Sequence, residues 1–386
     1  MMPSLISVFA IFLRLGLTSF GGPVAHLAYF RTEFVERRRW LDEHAYAAIV
    51  GFCQFLPGPA SSQVAMVLGQ MRAGPAGLVA AWIGFSLPSA LAMALFAFFL
   101  SSGQTIANAP WIHGLKLAAV ALVAQALLGM ARSLTPDLPR LAIAALCATM
   151  ALFIPGAVGQ VGAILLAALL GRLMLKPADG ANTPAPAPGR VWLPLLLFAL
   201  LLVGLPLLAA FDPSLRQFDA FYRAGSLVFG GGHVVLPLLQ SAVVTPGWMG
   251  DDTFMAGYGA AQAMPGPLFS FAAFLGAVLG GWGGALLCLF AIYLPSLLLV
   301  AGGWPLWQLA LARPGLRAAF QGTNAGVTGL LAAAFYSPVL TSAVFSPIDA
   351  GIALAALGLL LWSRAPAWAV VLLCALWAAG AALLLP

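Results

Sequence analysis

The sequence predicts an all-α, polytopic membrane protein of two inverted repeats. About nine helices are expected to span, with four re-entrant or broken helical hairpins; thirteen spanning helices is the alternative. Three observations predict this. First, 62% of the 386 residues are hydrophobic and 7% are charged, with mean hydropathy +1.01; a water-soluble domain carries about 25% charged residues. Second, the chain repeats itself at an offset of about 208 residues. Third, its basic residues sort to one side of a bilayer only if the broken segments turn back.

The repeat is carried by helix breakers. Phe12 to Pro23 read F-L-R-L-G-L-T-S-F-G-G-P and Phe221 to Gly232 read F-Y-R-A-G-S-L-V-F-G-G-G. Gln54 to Pro59 (Q-F-L-P-G-P) are answered by Gln262 to Pro267 (Q-A-M-P-G-P). Leu87-Pro88-Ser89 match Leu294-Pro295-Ser296, and Gly74 and Gly77 match Gly281 and Gly284. Matched breaks within apolar segments are a sequence pointer to a transporter binding site.

Thirteen apolar segments run at about 4–30, 45–71, 75–100, 112–131, 140–155, 157–174, 192–210, 217–243, 253–279, 281–301, 315–335, 345–361 and 366–385. Residues 176–190, K-P-A-D-G-A-N-T-P-A-P-A-P-G-R, cannot hold a helix and form a linker. The domains are therefore 1–175, a cytoplasmic linker 176–190, and 191–386. If the four segments with G-G or P-G-P breaks are re-entrant, thirteen basic residues (31, 37–39, 72, 132, 140, 172, 176, 190, 313, 317 and 364) fall inside and only Arg216 outside. Arms of about 12 residues on either side of each P-G-P reach roughly 18 Å, enough to touch the midplane and return. The alternative is a set of kinked spanning helices.

The remaining features restrict the chemistry. The formal charge of +6 reads as cytoplasmic-loop arginines, and no nucleic-acid partner is expected. The N-terminus has no basic n-region and reads as mature structure. Cys53, Cys147, Cys288 and Cys374 are scattered in apolar segments as small apolar side chains. No nucleotide- or zinc-binding signature is present, so neither cofactor nor metal is expected.

Half-helices that begin at mid-membrane aim free N–H groups and a partial positive charge into a cavity, which suits an anion. The candidate anion-binding residues follow from this. They are Ser19, Gly21 and Gly22 with Gly230 and Gly231 at the G-G breaks, and Gln54, Pro57, Gly58 and Pro59 with Gln262, Pro265, Gly266 and Pro267 at the P-G-P tips. Ser61, Ser62 and Ser270 follow as side-chain donors. Arg14 and Arg223 occupy equivalent positions; a helix-centre arginine costs about 2.5–3.5 kcal/mol and needs a partner. Their alternatives are snorkelling or, for Arg223, pairing with Asp219. Lys116, with Asn324 as its counterpart, is either a functional cation or an interfacial anchor. His26, His44, His113 and His233 read as structural.

The F-G-G-P and L-P-G-P signatures, the loop E-F-V-E-R-R-R-W-L-D at Glu33 to Asp42 and the duplication resemble the chromate ion transporter family in its long, two-domain form. The resemblance implies a plasma-membrane exporter of chromate (the inner membrane, in a Gram-negative cell) that confers chromate resistance and shares sulfate chemistry. The second copy departs from the pattern, with Gly232 in place of Pro23 and no basic loop. The residues alone reach only a small anion. The reading is a secondary transporter of a tetrahedral oxyanion, not an enzyme, embedded in the lipid bilayer as a monomer or homodimer. A sulfate or other oxyanion importer or exchanger is one alternative. A membrane-embedded enzyme acting on lipid-linked substrates is the other.

Overall fold

The computed structural model describes residues 5–20, 22–102, 110–154, 157–176, 192–212, 215–228, 235–303, 313–363 and 365–384. Among these residues the chain forms α-helices, with short 3-10 and π turns, and no strand. The 176–190 linker lies outside them apart from Lys176, as do Gly21, Gly230, Gly231, Gly232 and His233.

The first repeat opens with α1 (Leu5–Thr18) and α2 (Gly22–Arg31), continued by a π turn over Thr32–Arg37. Phe12 of α1 packs on Phe30 and Phe34, with centroids 6.0 and 5.3 Å away. The chain that enters along α1 therefore runs back beside it along α2. Asp42 then caps α3 (Glu43–Phe55) by accepting from the Ala45 N–H at 2.8 Å. Arg31 pairs with Glu43, and the Tyr46 hydroxyl donates to the Leu27 carbonyl at 2.6 Å. The start of α3 is thus tied to the outer end of α2.

After Pro57-Gly58-Pro59 comes α4 (Ala60–Ser101), which is not a single rod. Ala73 (φ −141°, ψ 26°) and Gly74 (φ 62°, ψ −154°) leave the helical region. A Cβ placed on Gly69 would collide with the Gly77 carbonyl and with Ala81. In a straight helix those residues would be roughly 12–18 Å away. The arm 60–72 therefore doubles back on 75–101. Arg72, at the bend, stacks 4.5 Å over Trp40, which follows α2. The outer ends of α2, α3 and the 60–72 arm all meet on one side, the arrangement that hairpins require.

Next come α5 (Pro110–Leu134), α6 (Leu138–Phe153) and α7 (Ala157–Met174). The second repeat follows with α8 (Trp192–Phe211), α9 (Arg216–Leu227), α10 (Val235–Val243), α11 (Asp251–Ala263) and α12 (Phe271–Gly302), which is led in by a 3-10 turn at Leu268–Ser270. The chain closes with α13 (Pro314–Ala334), α14 (Pro347–Gly358) and α15 (Ala367–Leu384). The fold-back recurs in α12 at Gly280 (φ −158°) and Gly281 (φ 61°), where Gly276 meets Gly284 backbone to backbone.

The two repeats are inverted. Phe98, near the end of 75–101, packs at a tilt against Trp282, near the start of 282–302, with ring centroids 4.8 Å apart. Trp82, near the other end, meets Phe290 and Tyr293 at 6.4 and 5.6 Å. Equivalent helices therefore run antiparallel, which places the two fold-back bends on opposite faces of the molecule. Among the described residues, four stretches are long and apolar enough to cross a membrane, among them Ala60–Ser101 and Leu268–Gly302; each of these two is a short arm folded back on a long helix. Around the crossed core, Leu196, Leu200, Val203, Leu207 and Phe211 on α8 stay exposed, as suits a multi-pass membrane protein.

The hairpins make a topological prediction. In a background lacking the four native cysteines, Glu36→Cys and Arg72→Cys should react with an impermeant thiol reagent only from the cytoplasmic side, and Thr245→Cys only from outside. Reaction of Glu36→Cys and Arg72→Cys from opposite sides would mean that 43–72 spans the membrane.

Candidate anion site at the crossed tips

The two P-G-P tips do not close on their own repeats. The Gly58 N–H donates to the Val228 carbonyl at 2.6 Å, and the Gly266 N–H donates to the Ser19 carbonyl at 2.8 Å. Val228 ends α9 and Ser19 follows α1, and they are equivalent positions. Each tip therefore satisfies the broken helix of the other repeat. Both glycines need the left-handed side of conformational space, at φ +123° and +96°. A Cβ on Gly58 would strike the Ser296 hydroxyl; on Gly266 it would come within 2.9 Å of the Ser89 hydroxyl. Ser89 and Ser296 are also equivalent.

Hydroxyls collect around this crossing. Ser89 Oγ lies 2.7 Å from Ser270 Oγ, and the Ser86 carbonyl accepts from Ser89 at 3.1 Å. Gln63 Nε2 donates to the Pro57 carbonyl at 2.7 Å and to Ser296 Oγ at 3.2 Å, bracing the first tip. His26 Nδ1 is 3.2 Å from Ser61 Oγ, and the ring sits edge-on to Phe85. Ser19, His26, Ser61, Ser62, Ser86 and Ser270 are all almost fully buried. Several buried polar atoms here have no hydrogen-bond partner outside the cluster itself: Ser19 Oγ, Ser62 Oγ, Ser86 Oγ and Tyr293 Oη. A buried polar atom without a partner costs about 1–3 kcal/mol. A cluster of donors on this scale is what a bound anion would satisfy.

Of the residues expected at the site, the structure brings together Ser19, Pro57, Gly58, Pro59, Ser61, Ser62, Pro265, Gly266, Pro267 and Ser270. Gly22, at φ +78°, opens α2 beside them. Gln54 is exposed on α3, and Gln262 is half-buried beside Tyr258. Asn324 is half-buried on α13, where its carbonyl accepts from Thr328 at 3.2 Å. Gly21, Gly230 and Gly231 are among the residues not described.

Two of the three candidate cations have carboxylate partners. Lys116 is buried but ion-paired to Asp252 at the start of α11, so its charge is answered by a carboxylate and does not face the tips. Arg223 is gripped by Asp219 through two hydrogen bonds, at 2.9 and 2.6 Å. Arg14 lines a cleft of about 530 Å³ between α1 and α2, together with Thr18, Tyr29, Thr32, Glu33 and Arg37. In that wall burial raises the Glu33 carboxyl, but Arg38 and Arg37 outweigh it and hold the group below its usual range. Glu33 thus stays ionised at neutral pH and engages both arginines, at 2.6 and 3.3 Å.

Sequence reasoning missed His26 as a contributor, and also Ser86 and Tyr293. A signal was present for the pair: they precede the matched L-P-S triplets by one residue. Because one copy has serine and the other tyrosine, identity did not mark them.

Comparison with known proteins now adds to this geometry. The family profile described as "Chromate transporter" matches twice, over residues 6–172 and 215–379. A protein named chromate transport protein from Pseudomonas aeruginosa is 29% identical, covering 84% of this chain and 79% of the relative. Another of that name from Cupriavidus metallidurans is 26% identical over 90% of this chain and 84% of its own length. An uncharacterised transporter of Methanocaldococcus jannaschii is 27% identical over 79% and 77%. No solved structure matches the chain.

The tips set the test of this site. Gly58→Val and Gly266→Val should each abolish transport while protein remains in the membrane, since a β-branched residue at positive φ is strained and pushes the tip away. Gly58→Ala should be more damaging than Gly266→Ala, because its Cβ has less room. Proteoliposome flux at matched protein content measures this, and wild-type flux by both valine variants would mean the tips are ordinary kinks.

Proposed function

The chain belongs to the chromate transporter family, and from that premise we propose that it exports chromate across the plasma membrane by alternating access, conferring chromate resistance. It is a membrane transporter and not an enzyme, as its relatives' names are. The observation that carries the proposal is the reciprocal crossing of the tips. One pair of hairpins opens to each face of the molecule, and the site between them can be uncovered to either side in turn.

The chemistry at the crossing suits a tetrahedral dianion. The arm after Pro59 begins at Ala60, and the one after Pro267 at Leu268, so both helical starts turn N–H groups and positive dipole ends toward the junction. Ser61, Ser62 and Ser270 stand in those first turns as further donors. Sulfate has the same shape and charge, so a sulfate or mixed exchanger is the alternative for the same site.

The mouths of the two hairpin pairs differ in charge, and this supports outward transport. Arg14 and Arg37, with Glu33, line the first cleft, while a second cleft, of about 360 Å³ and beside the other hairpin pair, is lined by Arg216, Gln217, Trp248 and Leu279. The positive-inside rule places the first cleft in the cytoplasm. A mouth with an excess of one sign of charge raises the local concentration of the opposite ion. Arg14 serves in this reading as the capture group, upstream of the crossing.

Radiolabelled chromate and sulfate flux in oriented proteoliposomes, with and without a pH gradient, tests the assignment. Export of chromate in preference to sulfate supports it; sulfate flux without chromate flux would replace it with the sulfate reading. Arg14→Gln should lower chromate capture severely, and Arg14→Lys to an intermediate degree, because lysine keeps the charge and loses the planar donor fork. Lys116→Gln should lower the melting temperature through loss of its pair with Asp252 and leave chromate selectivity unchanged. Normal chromate flux in Arg14→Gln at normal expression would make Arg14 an anchor only.

A further inference from the structure

Four hydroxyls meet where the repeats cross. Ser62 and Ser270 are equivalent positions in the two copies, in the first turns after the P-G-P tips. Ser86 and Tyr293 are likewise equivalent, at an offset of 207 residues, on the long antiparallel helices. The Tyr293 hydroxyl lies beside the hydroxyls of Ser62, Ser86 and Ser270. All four residues are at least 98% buried. Outside this group of four, Ser62 Oγ, Ser86 Oγ and Tyr293 Oη have no hydrogen-bond partner in the protein, while Ser270 Oγ also meets Ser89 Oγ. Two equivalent pairs thus converge where the repeats cross, and three of their four hydroxyls have no partner but one another.

We propose that the transported oxyanion is held at this crossing by Ser62, Ser86, Ser270 and Tyr293, through neutral hydroxyl donors and not through an ion pair with arginine. The proposal rests on the oxyanion reading above and names its specificity-determining groups. A fully deprotonated tetrahedral oxyanion offers only acceptors, and each hydroxyl has a proton to give it. Neutral donors avoid a dilemma that a buried arginine would create. An unscreened arginine would hold a dianion too tightly to release it, and would be costly to bury when the site empties. The carboxylates gripping Arg223 and Lys116 are consistent with this, since they remove those charges from competition.

The substitution of tyrosine for serine breaks the symmetry of the pair. Trp82 packs 5.6 Å from the Tyr293 ring and Phe269 packs 5.7 Å from it, which fixes the ring and leaves its hydroxyl directed at the serines. Tyr293 is therefore the donor whose loss can be tested with the least disturbance to packing, because phenylalanine preserves the ring.

The test is equilibrium binding of radiolabelled chromate to the detergent-purified full chain, with sulfate and molybdate as competitors, at low and high ionic strength. Tyr293→Phe and Ser86→Ala should each weaken binding about tenfold, the scale of a lost hydrogen bond to a charged group. The loss should be the same at both salt concentrations, because buried donors are little screened. Arg14→Gln should weaken binding only at low salt, and Ser342→Ala, which removes an unpartnered hydroxyl elsewhere, should bind as wild type. Melting temperatures close to wild type would show that the variants are folded; a variant that melts early is replaced in the comparison by Ser62→Ala. Wild-type affinity in Tyr293→Phe and Ser86→Ala, with normal binding by the wild type, would overturn this inference and leave the family reading standing. A wild type that binds none of the three oxyanions would overturn both.

Discussion

Everything in this fold depends on two backbone hydrogen bonds, from Gly58 to Val228 and from Gly266 to Ser19. Non-helical backbone at bilayer depth survives only where protein or a cavity satisfies its polar groups. Neither repeat does this for itself. A P-G-P tip has a free N–H, and a helix that stops at mid-depth has a free carbonyl. Inverting one copy against the other brings each deficit to the other's surplus. That reciprocity accounts for the close antiparallel contact of Trp82 with Phe290 and Tyr293, and for the glycine-on-glycine bends that keep each arm against its long helix.

Symmetry in the backbone is accompanied by asymmetry in charge. The first copy carries Arg37 and Arg38 on Glu33, Arg31 on Glu43, and Arg72 on Trp40. The positions equivalent to Trp40 and Arg72 are Trp248 and Leu279, which line the second cleft beside Arg216. One mouth is therefore a network of arginines and carboxylates, while the other cleft has Arg216 as its one charged lining residue. The centre is different again: hydroxyls, amides and a histidine, with Lys116 and Arg223 each paired to a carboxylate. In the proposed cycle, capture by charge at a mouth and binding by neutral donors at the centre are separate tasks carried by separate residues.

Much of this was legible in the sequence because helix breakers act locally. Proline lacks a donor and glycine at positive φ is tolerated almost alone, so P-G-P and the bends at Gly74 and Gly281 marked their own positions. Charge sorting then showed that 31–44 and 72 share a side, which the stacking of Arg72 on Trp40 matches. Pairings between distant segments were not legible. Lys116 with Asp252, and His113 with Asp349 at 2.8 Å, depend on how the repeats dock. Apolar sequence around Lys116 gave no hint of a carboxylate partner 136 positions away. Ser86 and Tyr293 were hidden for another reason: equivalence in space outlived equivalence of residue type.

The most direct measurement of the central claim is the position of the bound ion itself. A structure determined with chromate present, with chromium located by its anomalous scattering, should show one strong peak at the crossing of the Gly58 and Gly266 tips. That peak should lie within hydrogen-bonding reach of Ser62, Ser86, Ser270 and Tyr293. A peak confined to the Arg14–Arg37 cleft, with the crossing unchanged and empty, would contradict the account.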